Sequence, residues 1–161
     1  MKLLRATKAR WVFHLASREK RLLLELLKLY PCIPPGRQPL TKSSSLPDAE
    51  ACQRMLDEAL AEQRVENRKQ LETLLAAPQR FRDAAAGCEF TLAVSELEWL
   101  LQILNDIRVG SWVRLGSPEQ SFEAVNEQTA PDWWAMEAAG AFQMQLLGAI
   151  EGTGATEGAE M

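Results

Sequence analysis

One histidine, one tyrosine and three cysteines are all that this chain of 161 residues holds of those types. The lone His14 lies between Phe13 and Leu15 and reads as a strand residue on a sheet surface. Zinc, or an iron held by histidines and a carboxylate, needs more His or Cys at short spacing, and neither C-x-x-C nor H-x-x-x-H occurs. Cys32, Cys52 and Cys88 are odd in number and far apart, which argues against a disulfide framework and for a reducing, cytoplasmic setting. Long apolar runs are missing too. Stretches such as Leu22-Leu23-Leu24 fall far short of the roughly 20 residues a membrane helix needs. No apolar segment follows the dispersed charges Lys2, Arg5, Lys8 and Arg10, so no secretory signal is expected there. Glu96 and Glu98, two apart on an expected helix, do not face each other, and Gly152, Gly154 and Gly158 precede no lysine that would complete a phosphate cradle. The expectation is a protein with no catalytic residues, metal or cofactor.

What is present is ordinary for a globular domain: 47% apolar and 25% charged residues. The net charge of −4 conceals a split. Residues 1–42 hold ten Lys/Arg and two Glu, whereas 43–161 hold eight Lys/Arg and twenty Asp/Glu. Opposite charges of this kind attract within a fold, between subunits or toward an outside partner.

Alternation over 1–16 predicts a β-hairpin, with Trp11, Phe13 and Leu15 on one face. Ser17 reads as the N-cap of a Leu-rich helix that stops at Tyr30-Pro31. Residues 31–47 carry five of the eight prolines and a serine run, and read as a long loop. A long helix is expected from about Asp48 to Ala77, with an apolar stripe in its first half and an exposed polar middle from Glu62 to Gln70. A third strand is expected near 89–94, then a capping box of Ser95 with Glu98 opening the most buried helix, stopped by Gly116. Ser117-Pro118-Glu119 reads as the start of a short helix, and Thr129-Ala130-Pro131-Asp132 as the start of a last one reaching about Ile150. The whole is a helix-dominated α+β domain over 1–150, with about five helices, followed by a disordered, acidic, Gly-rich tail at 151–161.

One internal echo stands out. Counting from Ser17, leucines fall at +5, +6, +9 and +12, and from Ser95 the residues Leu100, Leu101, Leu104 and Ile107 fall at the same offsets. A Phe-x-Leu strand signal precedes each serine, one residue further back in the second copy. Two strand–cap–helix units packed as a pair would give this pattern, and so would any two capped amphipathic helices.

The densest polar constellation is Asn105, Asp106 and Arg108 with Trp112 and Arg114 downstream. Asp106, late in a helix, opposes the macrodipole and calls for a tertiary partner such as an arginine. The cluster is read either as a buried clamp fixing helix register or as a binding surface. The run Trp99-Leu100, Leu104-Asn105-Asp106-Ile107-Arg108 and Arg114-Leu115-Gly116 resembles the hallmark of an uncharacterised bacterial domain-of-unknown-function family, Trp-Leu, Leu-Asn-Asp-Leu-Arg, Arg-Leu-Gly. Gly110-Ser111-Trp112 departs from it, since members often carry leucine–glycine–threonine there. Members are often encoded beside the adaptor of the Clp protease, so the resemblance implies a role near regulated proteolysis.

Two functional readings follow. In the first the protein is a non-enzymatic interaction or regulatory protein whose partner is a second copy or a Clp component, with Trp133, Trp134 and Phe142 of the apolar last helix as interface anchors. At least one of those aromatics is expected in the core. In the second it is a nucleic-acid-binding regulator using Arg5, Lys8, Arg10, Arg18, Lys20 and Arg21 of the hairpin and first helix.

Overall fold

The structure is a computed structural model and describes residues 1–33, 48–119 and 125–157. Its elements run β1 (Lys2–Ala6), β2 (Arg10–Ala16), α1 (Ser17–Leu27), α2 (Ala49–Ala76), β3 (Phe81–Ala84), β4 (Gly87–Ala93), α3 (Val94–Arg114) and α4 (Ala130–Glu157). The four strands form one antiparallel sheet in the order β1-β2-β4-β3. One hydrophobic core, running in sequence from Trp11 to Leu146, fills the space between the sheet and the helices.

Alternation decides which way each strand faces. Trp11, Phe13 and Leu15 of β2, and Cys88, Phe90 and Leu92 of β4, are buried on the helix side. The residues between them stay half-exposed on the other face. At the centre Phe13 pairs with Phe90 across the two strands. Each strand runs straight into its helix, and the two halves match residue by residue. Ala16 and Ala93 are the N-caps, and Leu23, Leu26, Leu27 and Tyr30 bury the same positions as Leu100, Ile103, Leu104 and Ile107.

This corrects the capping expectation. Neither Ser17 nor Ser95 caps its helix; the alanine ahead does, and alanine has no side-chain acceptor to contribute. A glutamate three residues on supplies the bond instead. Glu19 accepts the N–H of Ala16 at 2.9 Å and Glu96 accepts that of Ala93 at 2.7 Å. Each glutamate also meets a cation at the outer edge of the sheet, the Met1 ammonium for Glu19 and the Arg80 guanidinium for Glu96. Aligned on Ala16 and Ala93, the Phe-x-Leu signals Phe13-Leu15 and Phe90-Leu92 fall into step. The one-residue mismatch in the echo came from aligning on the serines.

Among the described residues there are four helices rather than about five, and four strands rather than three. The unexpected strand is β3, a four-residue edge whose Phe81 stacks on Phe90 with ring centroids 4.7 Å apart. Residues 117–119 are not helical, and the rest of the expected short helix falls on 120–124, outside the described residues. Most of the proline-rich loop, 34–47, lies outside them as well. The last helix continues through Glu157, so the tail expected from 151 is helical as far as 157, and 158–161 lie outside the described residues.

The long helix α2 keeps most of its polar middle exposed, as expected, but its first-half apolar stripe is not where it packs. Its first half, with Cys52 exposed and Met55 70% exposed, buries nothing fully. Its buried residues are Asn67, Leu71 and Leu74, at i, i+4 and i+7. The polar middle is therefore where α2 begins to hold the body. By contrast, α4 buries Ala135, Ala139, Phe142 and Leu146 along its length.

Chain path is set at two glycines. Gly116, with φ +87°, closes α3 in a Schellman motif, its N–H on the Val113 carbonyl at 3.0 Å and that of Ser117 on Trp112 at 3.0 Å. Gly110 lets the Tyr30–Ile33 segment lie on α3, since a Cβ there would sit 2.3 Å from Cys32 Cβ and 2.4 Å from its carbonyl carbon.

Gly110→Ala is expected to destabilise the protein by about 1–3 kcal/mol through this overlap. Gly148→Ala, in an exposed α4 position with nothing within 4 Å, is expected to stabilise it by roughly 1 kcal/mol. Urea unfolding of both variants reads the opposite signs. The glutamates give a pH test. Burial alone would raise the carboxyl of Glu96, but its bonds from Arg80 and the Ala93 N–H outweigh that and hold it below its ordinary value. Glu19 is lowered in the same way by the Met1 ammonium and the Ala16 N–H. Their contribution is thus present above the ordinary value of 4.5 and is lost as pH falls through the lowered folded values. Unfolding measured from pH 7 to pH 3 should show a shallower acid loss in a Glu19→Gln/Glu96→Gln double variant than in the parent.

Candidate functional site

Where the end of α1 meets α2 and α3, a cleft of about 460 Å³ opens, lined by Tyr30, Ile33, Leu60, Gln63, Arg64, Asn67, Leu101, Gln102, Asn105 and Asp106. Its floor is a polar hub on Asn67, which is 7% exposed. The Asn67 amide donates to the Tyr30 hydroxyl at 3.1 Å, while its oxygen accepts the Trp99 indole N–H at 3.2 Å and the Gln63 amide at 2.9 Å. Beside it Arg68 donates to the carbonyls of Tyr30 at 2.5 Å and Lys28 at 3.3 Å, satisfying acceptors that the end of α1 leaves open. Sequence reasoning missed Tyr30, Gln63, Arg64, Asn67 and Arg68. The available signal was that Asn67 continues the Leu71–Leu74 stripe back by one turn.

Asp106 has its tertiary partner, but it is backbone rather than an arginine. Its Oδ1 accepts the N–H of Cys32 at 2.6 Å and of Ile33 at 3.4 Å. The carboxylate thereby holds the chain leaving α1 against α3, at the place Gly110 leaves room for it. The rest of the predicted cluster disperses. Asn105 faces the cleft, and Arg108 is exposed beside Gly140. Trp112 is 40% exposed and donates to the Pro118 carbonyl at 3.2 Å, while Arg114 pairs with Asp132 at the start of α4 at 3.4 Å.

The aromatics of α4 divide. Phe142 is core, Trp133 is half-buried, and Trp134 is 38% exposed. Met144 and Leu147 are 75% and 46% exposed on the same helix. The expected basic face is not one surface. Arg5 and Arg10 lie on the open face of the sheet, where Glu89 draws Arg5 to 3.4 Å and Arg82 to 3.8 Å. Lys8 sits at the β1–β2 turn, the far end of β2 from α1. Arg18, Lys20 and Arg21 belong to α1, and Lys20 stands over the Phe81 ring at 5.2 Å. His14 lies on the open sheet face with Nε2 3.2 Å from the Ala85 carbonyl.

Burial pushes the Cys32 thiol up to about 11, despite the nearby Arg114, and its Sγ donates to the Leu29 carbonyl at 3.2 Å. Burial raises the Cys88 thiol as well. Neither presents a thiolate near neutral pH. Among the described residues no three His, Cys, Asp or Glu side chains gather as a metal set, and no helix is long and apolar enough to cross a membrane. No known protein family, curated protein or solved structure matches this chain.

Asp106→Ala should leave the Cys32 N–H unsatisfied and cost about 1–3 kcal/mol in chemical unfolding. Arg108→Ala, removing an exposed side chain, should stay within about 0.5 kcal/mol of the parent. Equal losses would mean the cluster is one cooperative network.

Proposed function

We propose that this protein acts by binding another protein, as an interaction or regulatory component rather than an enzyme. The observation that carries the reading is the outer side of α4, where Trp134, Met144 and Leu147 stand exposed on a helix without a single Lys or Arg. Large apolar side chains gathered on one helix are what partners bury, and a tryptophan is a common anchor of binding energy. A second copy is the simplest partner, because α4 could meet itself about a two-fold axis. The resemblance of the 99–116 run supplies the alternative, a component of Clp-type regulated proteolysis. A cytoplasmic location belongs to the same proposal and rests on the isolated cysteines.

The nucleic-acid reading finds less support. Its six basic residues sit on the open sheet face, at a hairpin turn and on α1, and Glu89 takes up part of the charge on the sheet.

The test is capture from nuclease-treated lysate at low and moderate salt, with light scattering of the pure protein alongside. A partner, or a second copy, should be retained at both salts and lost in a Met144→Arg variant. An apolar interface changes little with salt, whereas phosphate binding weakens steeply. Partners that vanish with nuclease or salt, or that Met144→Arg leaves in place, would contradict the reading.

A further inference from the structure

The cleft between α2 and α3 has a chemistry that the α4 strip does not share, and none of its described lining residues belongs to α4. Its volume of about 460 Å³ falls inside the roughly 300–1,000 Å³ that small-ligand pockets occupy. Its apolar lining is Ile33, Leu60 and Leu101. The polar lining beside them is rich in donors without acceptors.

Arg64 is half-buried in that lining, and no described residue makes a hydrogen bond or ion pair with it. Its neighbour Arg68 on the same helix has both Glu72 and two carbonyls. Asp106 lines the cleft, but its Oδ1 is committed to the amides of Cys32 and Ile33. The Tyr30 hydroxyl accepts from Asn67, which leaves its own proton without an acceptor among the described residues. Burial raises the Tyr30 phenol, so it stays a donor through neutral pH. The amides of Gln102 and Asn105 likewise make no hydrogen bond to a described residue.

A half-buried guanidinium is matched best by a carboxylate, which accepts two parallel N–H bonds. With one cation and one carboxylate among its described lining residues, the cleft suits a monoanion better than a phosphate dianion. We infer that this cleft binds a carboxylate carried on an apolar body, with Arg64 and Tyr30 as its donors and Ile33, Leu60 and Leu101 against its apolar part. Such a carboxylate is either the C-terminus of a peptide ending in an aliphatic residue or a free aliphatic acid.

The experiment is a titration of ¹⁵N-labelled protein with three probes: acetyl-Ala-Ala-Leu with a free carboxylate, its C-terminal carboxamide, and 4-methylpentanoate. The free-carboxylate peptide should shift the Arg64 Nε–H and the Trp99 indole N–H saturably, and the carboxamide should bind about tenfold more weakly or worse. Arg64→Gln should weaken the carboxylate by a similar factor while leaving thermal unfolding unchanged. Equal binding of 4-methylpentanoate identifies a free acid as the source, and peptide binding alone identifies a chain terminus; both support the site. No saturable shift with either carboxylate, a carboxamide that binds equally, or an Arg64→Gln variant that binds as the parent does would overturn it. A Met144→Arg protein should bind the probes normally, which separates this site from the α4 reading.

Discussion

Everything else in this fold hangs on the antiparallel pairing of β2 with β4. The two strands meet with Phe13 opposite Phe90, and their inward residues form the floor of the core. The strands are close enough at their ends that Gly87 admits no side chain, since a Cβ would lie 1.9 Å from the Leu15 carbonyl oxygen. Because each strand leads directly into a helix, their register also fixes where α1 and α3 start and which of their faces turns inward. The glutamates Glu19 and Glu96 then lock both junctions by tying a helix N-terminus to a cation at the sheet edge.

The symmetry of the halves stops after these helices, and the features of functional interest lie where it stops. The fourth helix packs on α3 and reaches across α1 and β1, so that it fills the core on one side and shows Trp134, Met144 and Leu147 on the other. The second helix holds on only from Asn67 onward. At the cleft its grip is polar, through the Asn67 hub and Arg68, while Leu71 and Leu74 further along enter the hydrophobic core. Asp106 and Gly110 together hold Cys32 against α3 and so bring Tyr30 and Ile33 to that cleft. The same residues that position the chain thus shape the concave surface beside it.

Strong local periodicity made much of this legible. Trp11-x-Phe13-x-Leu15 and Phe90-x-Leu92 alternate cleanly, Pro78 follows the end of α2, and Gly116 sits at a position only a left-handed backbone reaches comfortably. The serines misled because a strand running straight into a helix needs no side-chain cap when a glutamate one turn on bonds the N-cap amide. The strand β3 has four residues, including Arg82 and Asp83, too short and too polar to alternate visibly. Asn67 was hidden because a buried polar residue looks in sequence like a solvated one; only Tyr30 and Trp99, brought in from distant parts of the chain, make it a core residue. The Asp106 partner was unreadable for a related reason: a backbone N–H leaves no mark on sequence.

Native-state hydrogen exchange, resolved by residue, tests the central claim most directly. If the β2–β4 pair organises the fold, the bonded amides of those two strands should be among the slowest, exchanging only through global unfolding, while residues 49–62 of α2 exchange by local fraying at far lower cost. Strand amides that exchange faster than the first half of α2 would contradict the account, since the helix would then be the framework and the sheet its dependant.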